Sequence, residues 1–217
     1  MSTPTLDPAA PVARYRTRAV RRGPCLALGL AALLALPVHA AEPPLADDTT
    51  RAANAVHELG SRLRSALVAR INAAGAPAAV GFCADEAPGI AAAVAAEHGL
   101  RIGRTALRVR NADNAASAWQ SAVLEGFARE AAAGTAPASL RSSATTELPA
   151  GVRLRYMQGI ATEAPCLACH GTQVQPAITQ AIRARYPDDA ATGFTEGSLR
   201  GAFWVEVMGA GTVVVCA

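Results

Sequence analysis

The stretch "VRLRYMQGIATEAPCLACHG", residues 152–171, joins a strand pattern to a compact cysteine motif. Apolar and basic residues alternate from Val152 to Tyr156, and a period of two predicts a half-buried β-strand. Directly after this strand, Cys166, Cys169 and His170 fall within five positions. The stretch therefore predicts a β-strand that is followed directly by a chemically reactive site.

The segments on either side of this stretch predict helices and further strands. Apolar residues recur at helical spacing over 51–72, and a second helix is predicted between Cys83 and Gly99. The segments 100–111 and 199–207 alternate like strands, whereas residues 133–150 are rich in Gly, Ser, Thr and Pro and predict a loop. Two more helical faces are predicted, one by Trp119, Val123, Leu124 and Phe127, the other by Val174, Ile178, Ile182 and Tyr186. This order predicts an α+β fold, an antiparallel sheet with packed helices.

The N-terminal residues 1–40 resemble an export signal. Five arginines precede an apolar run, 25–37, and the small residues of "VHA" lead to a predicted cleavage after Ala40. The run is shorter than the roughly 20 residues of a spanning helix, so we expect no stable membrane insertion after cleavage. Residues 41–50 are predicted to be a linker.

Removing the signal changes the charge of the chain. It takes away five arginines and one aspartate, so the formal net charge falls from +3 to −1. Nothing strongly basic remains, and we expect no nucleic-acid partner. The predicted location is periplasmic or otherwise exported.

The CxxCH motif at Cys166, Cys169 and His170 is the attachment signature of c-type haem. Two cysteines on one short turn can each form a thioether with a haem vinyl group, and the adjacent imidazole can then ligate the iron. The motif leaves other interpretations open: a zinc site, a thioredoxin-like CxxC, or a simple disulfide. Covalent haem is the interpretation we carry forward, with one haem c per chain.

A second axial ligand would have to come from elsewhere in the chain. Cys83 is predicted to lie immediately before a helix, where the helix dipole would favour a thiolate. It could equally be a buried structural thiol or a disulfide partner of Cys216. The remaining candidates are His57, His98, Met157 and Met208.

Three blocks of the sequence together resemble the Tll0287-like haem domain family, a domain of unknown function. The blocks are "CADEAPGIAAAVAAEHGLRIGRTALRVRNADN" (83–114), "YMQGIATEAPCLACHG" (156–171) and "YPDDAATGFTEGSLRGAFWVEV" (186–207). The resemblance covers residues 51–207. The tail 208–217, with Cys216, has no recognised counterpart, and Ala112 stands where the family usually has proline.

This resemblance implies a PAS-like α+β domain with one covalently bound haem. It also implies that Cys83 ligates the iron opposite His170. Contacts with the haem propionates are possible roles for three arginines: Arg104, Arg108 and Arg110.

With both axial positions filled, an iron has no open site for substrate, so the sequence favours electron transfer or redox sensing over enzymatic catalysis. The partner would then be another redox protein, whose identity the sequence does not give. Two alternatives remain at this point. One is a haem-based gas or ligand sensor, in which the Cys83 bond breaks on reduction; the other is a thiol-disulfide oxidoreductase that uses the CxxC.

Overall fold

The computed structural model describes residues 44–209, so the predicted signal (1–40) and Cys216 lie outside the described residues. Five α-helices and four β-strands form this part of the chain, which confirms the α+β class. The helices are α1 (Leu45–Asp85), α2 (Ala87–His98), α3 (Ala118–Ala132), α4 (Leu167–His170) and α5 (Pro176–Arg185). The strands are β1 (Leu100–Thr105), β2 (Arg141–Ala144), β3 (Val152–Ala161) and β4 (Leu199–Met208).

The four strands form one antiparallel sheet in the order β1-β4-β3-β2. The last strand of the sequence, β4, is therefore central, and Val205 pairs with Ile102 on one side and with Tyr156 on the other. The strand β2 lies within the segment that was predicted to be a loop. It could not be predicted from the sequence because its four residues are mostly exposed and carry no apolar pattern. The alternating segments 152–156 and 199–207 are confirmed as parts of β3 and β4. Of the segment 100–111, the first half forms β1, whereas residues 106–111 do not continue the strand.

Helices cover both faces of the sheet. On one face α1 and α2 pack on apolar side chains that include Ile102, Leu154 and Val205. On the other face Leu124 and Phe127 of α3 pack against the sheet, as their helical spacing predicted. A third apolar cluster joins the end of α1 to α5 through four buried side chains: Val80, Ile178, Ile182 and Tyr186.

The first helix is longer than the sequence predicted at both ends. It begins at Leu45, so residues 45–50 are not a linker; Asp47 and Asp48 lie in its first turn, where the helix dipole favours negative charge. The backbone does break at Gly75, with φ of 82°, which a glycine adopts without steric cost. The helix then resumes with Pro77 near its new first turn, where a proline is tolerated.

This continuation of α1 corrects the predicted position of Cys83. The residue lies inside the last turn of α1, four residues before α2 begins at Ala87, and not at the N-terminus of a helix. The C-terminal end of a helix carries a partial negative charge, so the dipole of α1 does not favour a thiolate there.

By length and composition alone, α1 is the one helix of the described residues that could cross a membrane, with a window of mean hydropathy 1.3. Its first half buries Val56, Leu59 and Leu63 against the sheet. Only 17% of the apolar window itself is buried, so packing of the first half on the sheet does not account for its composition.

Candidate functional site

The CxxCH motif occupies two short helical turns after β3. A 3-10 turn (164–166) ends at Cys166, and α4 carries Cys169 and His170. The chain leaves α4 at Gly171, whose N–H donates to the Leu167 carbonyl at 2.9 Å. Both cysteines are free thiols at intermediate burial, so the turn presents two thiols and an imidazole side by side.

The imidazole of His170 is held in one orientation. Its Nδ1 lies 2.6 Å from the backbone oxygen of Ala191, and because that oxygen can only accept, Nδ1 carries the proton. The protonated Nδ1 leaves the lone pair of Nε2 free to bind a metal ion. Burial, together with the positive charges of Arg200 and Arg110, lowers the pKa of His170 to about 3. The ring is therefore neutral, the form in which histidine binds metals.

The loop that supplies Ala191 is fixed by Arg110. Its guanidinium donates to both carboxylate oxygens of Asp189, at 3.0 and 3.2 Å, and to the Cys169 carbonyl at 2.7 Å. The Arg110 and Asp189 side chains are only 10% and 9% exposed. A buried pair of this kind is costly to break from one side, so Arg110 ties the motif to the loop. Arg110, one of the three arginines predicted from the sequence to contact a propionate, is thus paired with Asp189.

Cys83, in the last turn of α1, lies near the CxxCH motif. It packs against the apolar cluster between α1, α2 and the sheet. Burial raises the pKa of its thiol. Three positive charges act in the opposite direction: those of Arg104, Arg110 and Arg200. The fold thus places Cys83 close enough to Cys169 for their charges to interact, although the two residues are far apart in sequence.

The remaining arginines near the motif differ in their surroundings. The guanidinium of Arg108 is exposed and lies 4.0 Å from the ring centroid of Phe194, whose edge faces the His170 ring at 6.4 Å. Arg104, at the end of β1, is half-buried. Arg200, at the head of β4, lies near the same groups but was not singled out in the sequence. It belongs to the third block of the family resemblance, which was the available signal.

A cavity of about 430 Å³ opens beside Cys83, within the usual range for small-molecule and cofactor sites. One wall is the Ala-rich face of α2, where small side chains leave space, and another includes Arg104 and Asn111. A larger depression of about 490 Å³ lies over α1 around His57 and Glu58 and contains no cysteine. Of these two cavities, the one beside Cys83 contains the ligand that the family resemblance implies, whereas the two cysteines and the histidine of the CxxCH motif line neither of them.

The other candidate axial ligands lie elsewhere. Nε2 of His98 is 2.7 Å from a carboxylate oxygen of Glu58, and Met157 is fully buried under α3. His57 lines the separate depression on α1. No group of three His, Cys, Asp or Glu side chains in residues 44–209 is arranged to hold a metal ion.

Comparison with known proteins identifies the family. The family model for Tll0287-like proteins matches residues 41–207, including the segment that sequence analysis assigned to a linker. The crystal structure of the cyanobacterial heme-protein Tll0287 is similar with a TM-score of 0.52 and 25% identity, covering 76% of this chain and 94% of that one. No curated protein matches this chain. Because the family match spans well over half of the sequence, the chain belongs to the Tll0287-like family.

Proposed function

We propose that this protein is an exported haem protein with one haem c, which exchanges electrons with a partner protein or reports redox state. In this proposal Cys166 and Cys169 hold the haem, and His170 and Cys83 ligate its iron. The proposal also treats the α+β domain as PAS-like, with the sheet as the platform on which the site is built.

The observation that carries this proposal is the hydrogen bond between His170 and Ala191. The Ala191 carbonyl holds the Nδ1 proton and leaves the lone pair of Nε2 available for a metal ion. Such a contact is the usual way in which a protein orients an imidazole for a metal ion. The neutral ring and the two adjacent thiols complete a donor set that fits a covalently attached haem.

Other residues of the chain would provide space for the haem and hold the loop beside the motif. The alanines of α2 leave room beside Cys83, and the Arg110–Asp189 pair keeps the loop of Ala191 against the motif. A bound haem would supply an iron that gains or loses one electron. Ligation from both sides leaves no position for a substrate, which supports electron exchange over catalysis.

The test is an alkaline pyridine haem spectrum of the protein purified from an exporting bacterial host that attaches c-type haem. We expect the band position of a haem with both vinyl groups saturated, and the haem should stay with the chain under denaturing conditions. The double variant Cys166→Ser with Cys169→Ser should lose covalent haem, while Cys216→Ala should keep it as a matched cysteine control. A colourless parent protein with a titratable dithiol would instead favour the thiol-disulfide enzyme.

A further inference from the structure

We infer that Arg104 and Arg200 together form a binding site for a carboxylate beside the CxxCH motif. Four arginines gather near Cys83 and His170: Arg104, Arg108, Arg110 and Arg200. One of them, Arg110, is paired with a carboxylate, that of Asp189. In residues 44–209, Arg104 and Arg200 form no salt bridge with an aspartate or glutamate.

The surroundings of these two arginines distinguish them from ordinary surface arginines. Both are half-buried, and their charges repel each other and that of Arg110. Burial and these two neighbours lower the pKa of Arg200 to about 10. The carboxylate of Asp189 offsets part of this repulsion, but both of its oxygens already accept from Arg110. A partly buried cation without a paired carboxylate of its own is costly, so an anion at this position would stabilise the folded protein.

The geometry favours this pair over the other two arginines. Both oxygens of Asp189 already accept from Arg110. Arg108 and Arg200 both lie over Phe194, at 4.0 and 5.1 Å from the ring centroid, but Arg108 is exposed whereas Arg200 is half-buried. Arg104 lines the cavity beside Cys83, while Arg200 is close enough to Cys166 for their charges to interact. Arg104 therefore lies on the side of Cys83, and Arg200 lies with Phe194 on the side of His170.

A planar carboxylate is the natural partner of a guanidinium, because the two can form paired hydrogen bonds. It could come from a propionate of the haem, a source that rests on the proposed function, or from a small free carboxylate. Of the three arginines predicted from the sequence to contact a propionate, Arg104 belongs to this proposed site. Arg200 takes the place of Arg108 and Arg110.

The test uses the purified full-length protein and three substitutions: Arg104→Gln, Arg200→Gln and, as the matched control, Arg129→Gln. Arg129 is an exposed arginine near the end of α3. The first measurement is the propionate bending band in the resonance Raman spectrum, together with the reduction potential. The second is the melting temperature in sodium acetate and in sodium chloride at equal ionic strength.

If a haem propionate fills the site, the first two substitutions shift the propionate band and lower the reduction potential, and Arg200→Lys returns the potential toward the parent value. If a free carboxylate fills it, acetate raises the melting temperature of the parent but not of Arg200→Gln. The inference is overturned if both site variants behave like Arg129→Gln in both measurements. A protein purified without haem would contradict the proposed function, and the acetate measurement would then decide the inference alone.

Discussion

Opposing effects act on the pKa of the Cys83 thiol. Burial and the negative end of α1 disfavour a thiolate, whereas the charges of Arg104, Arg110 and Arg200 favour one. A bound metal ion would favour the thiolate, because a thiol that coordinates a metal is deprotonated.

Substitution of Cys83 tests its proposed place on the iron. A thiolate donates charge and stabilises the oxidised metal, so Cys83→Ala should change the oxidised visible spectrum and raise the reduction potential. Cys216→Ala, in the tail beyond the family match, is the matched control and should leave both unchanged. If Cys83→Ala keeps the spectrum and potential of the parent, Cys83 does not ligate the iron.

At the scale of single residues, the sequence identified the motif but not the contacts that support it. Cys166, Cys169 and His170 were found because their spacing has a chemical meaning within one turn. The Ala191 carbonyl could not be found in this way, since any residue type can supply a backbone oxygen. Arg110 was singled out for its charge, yet its partners Asp189 and the Cys169 carbonyl come from other segments.

At the scale of secondary structure, the exit from α4 controls how His170 is presented. Gly171 accepts a hydrogen bond from Gly193, and the His170 carbonyl accepts one from Phe194, both at 2.9 Å. These bonds align the motif with the loop that carries Ala191. A Cβ atom on residue 171 would lie 2.5 Å from the Leu167 carbonyl oxygen, closer than real Cβ atoms approach backbone.

We therefore expect Gly171→Ala to destabilise the protein by about 1–3 kcal/mol, the usual cost of forcing extra volume into a packed site. Denaturant unfolding measures the change, and the visible spectrum should report a reoriented His170. Gly89→Ala in α2 is the matched control, because nothing lies within 4 Å of an added Cβ there. A Gly171→Ala variant as stable as Gly89→Ala would show that α4 adjusts without cost.

The elements themselves were largely predictable, because apolar periodicity follows from burial on one face. This explains the agreement for β1, β3 and β4, and for the faces of α3 and α5. The pattern failed at the break in α1, where Gly75 and Pro77 were taken to end the helix. Local signals show that a break occurs, but only packing of the following turn on α5 shows that the helix resumes.

At the scale of the whole molecule, the proposed iron ligands come from segments that are far apart in the sequence. Cys83 comes from α1 and His170 follows β3, and the loop between β1 and α3 and the segment after α5 close around them. The sheet keeps these segments together through its central strand β4. No short stretch of sequence contains this site, so its assembly depends on the complete domain.

This arrangement predicts how the holoprotein unfolds. A His170–iron bond can persist in an unfolded chain because His170 is next to the attachment cysteine, whereas a Cys83–iron bond requires the folded domain. A ligand bound only in the native state stabilises that state, so Cys83→Ala should unfold at lower denaturant concentration than the parent or Cys216→Ala. In the parent, the haem band sensitive to thiolate ligation and the far-ultraviolet circular dichroism should change in one coincident transition, as a two-state domain requires. A haem transition that precedes the loss of secondary structure would show instead that the site opens locally, through the segments around Arg110 and Ala191, while the sheet remains intact.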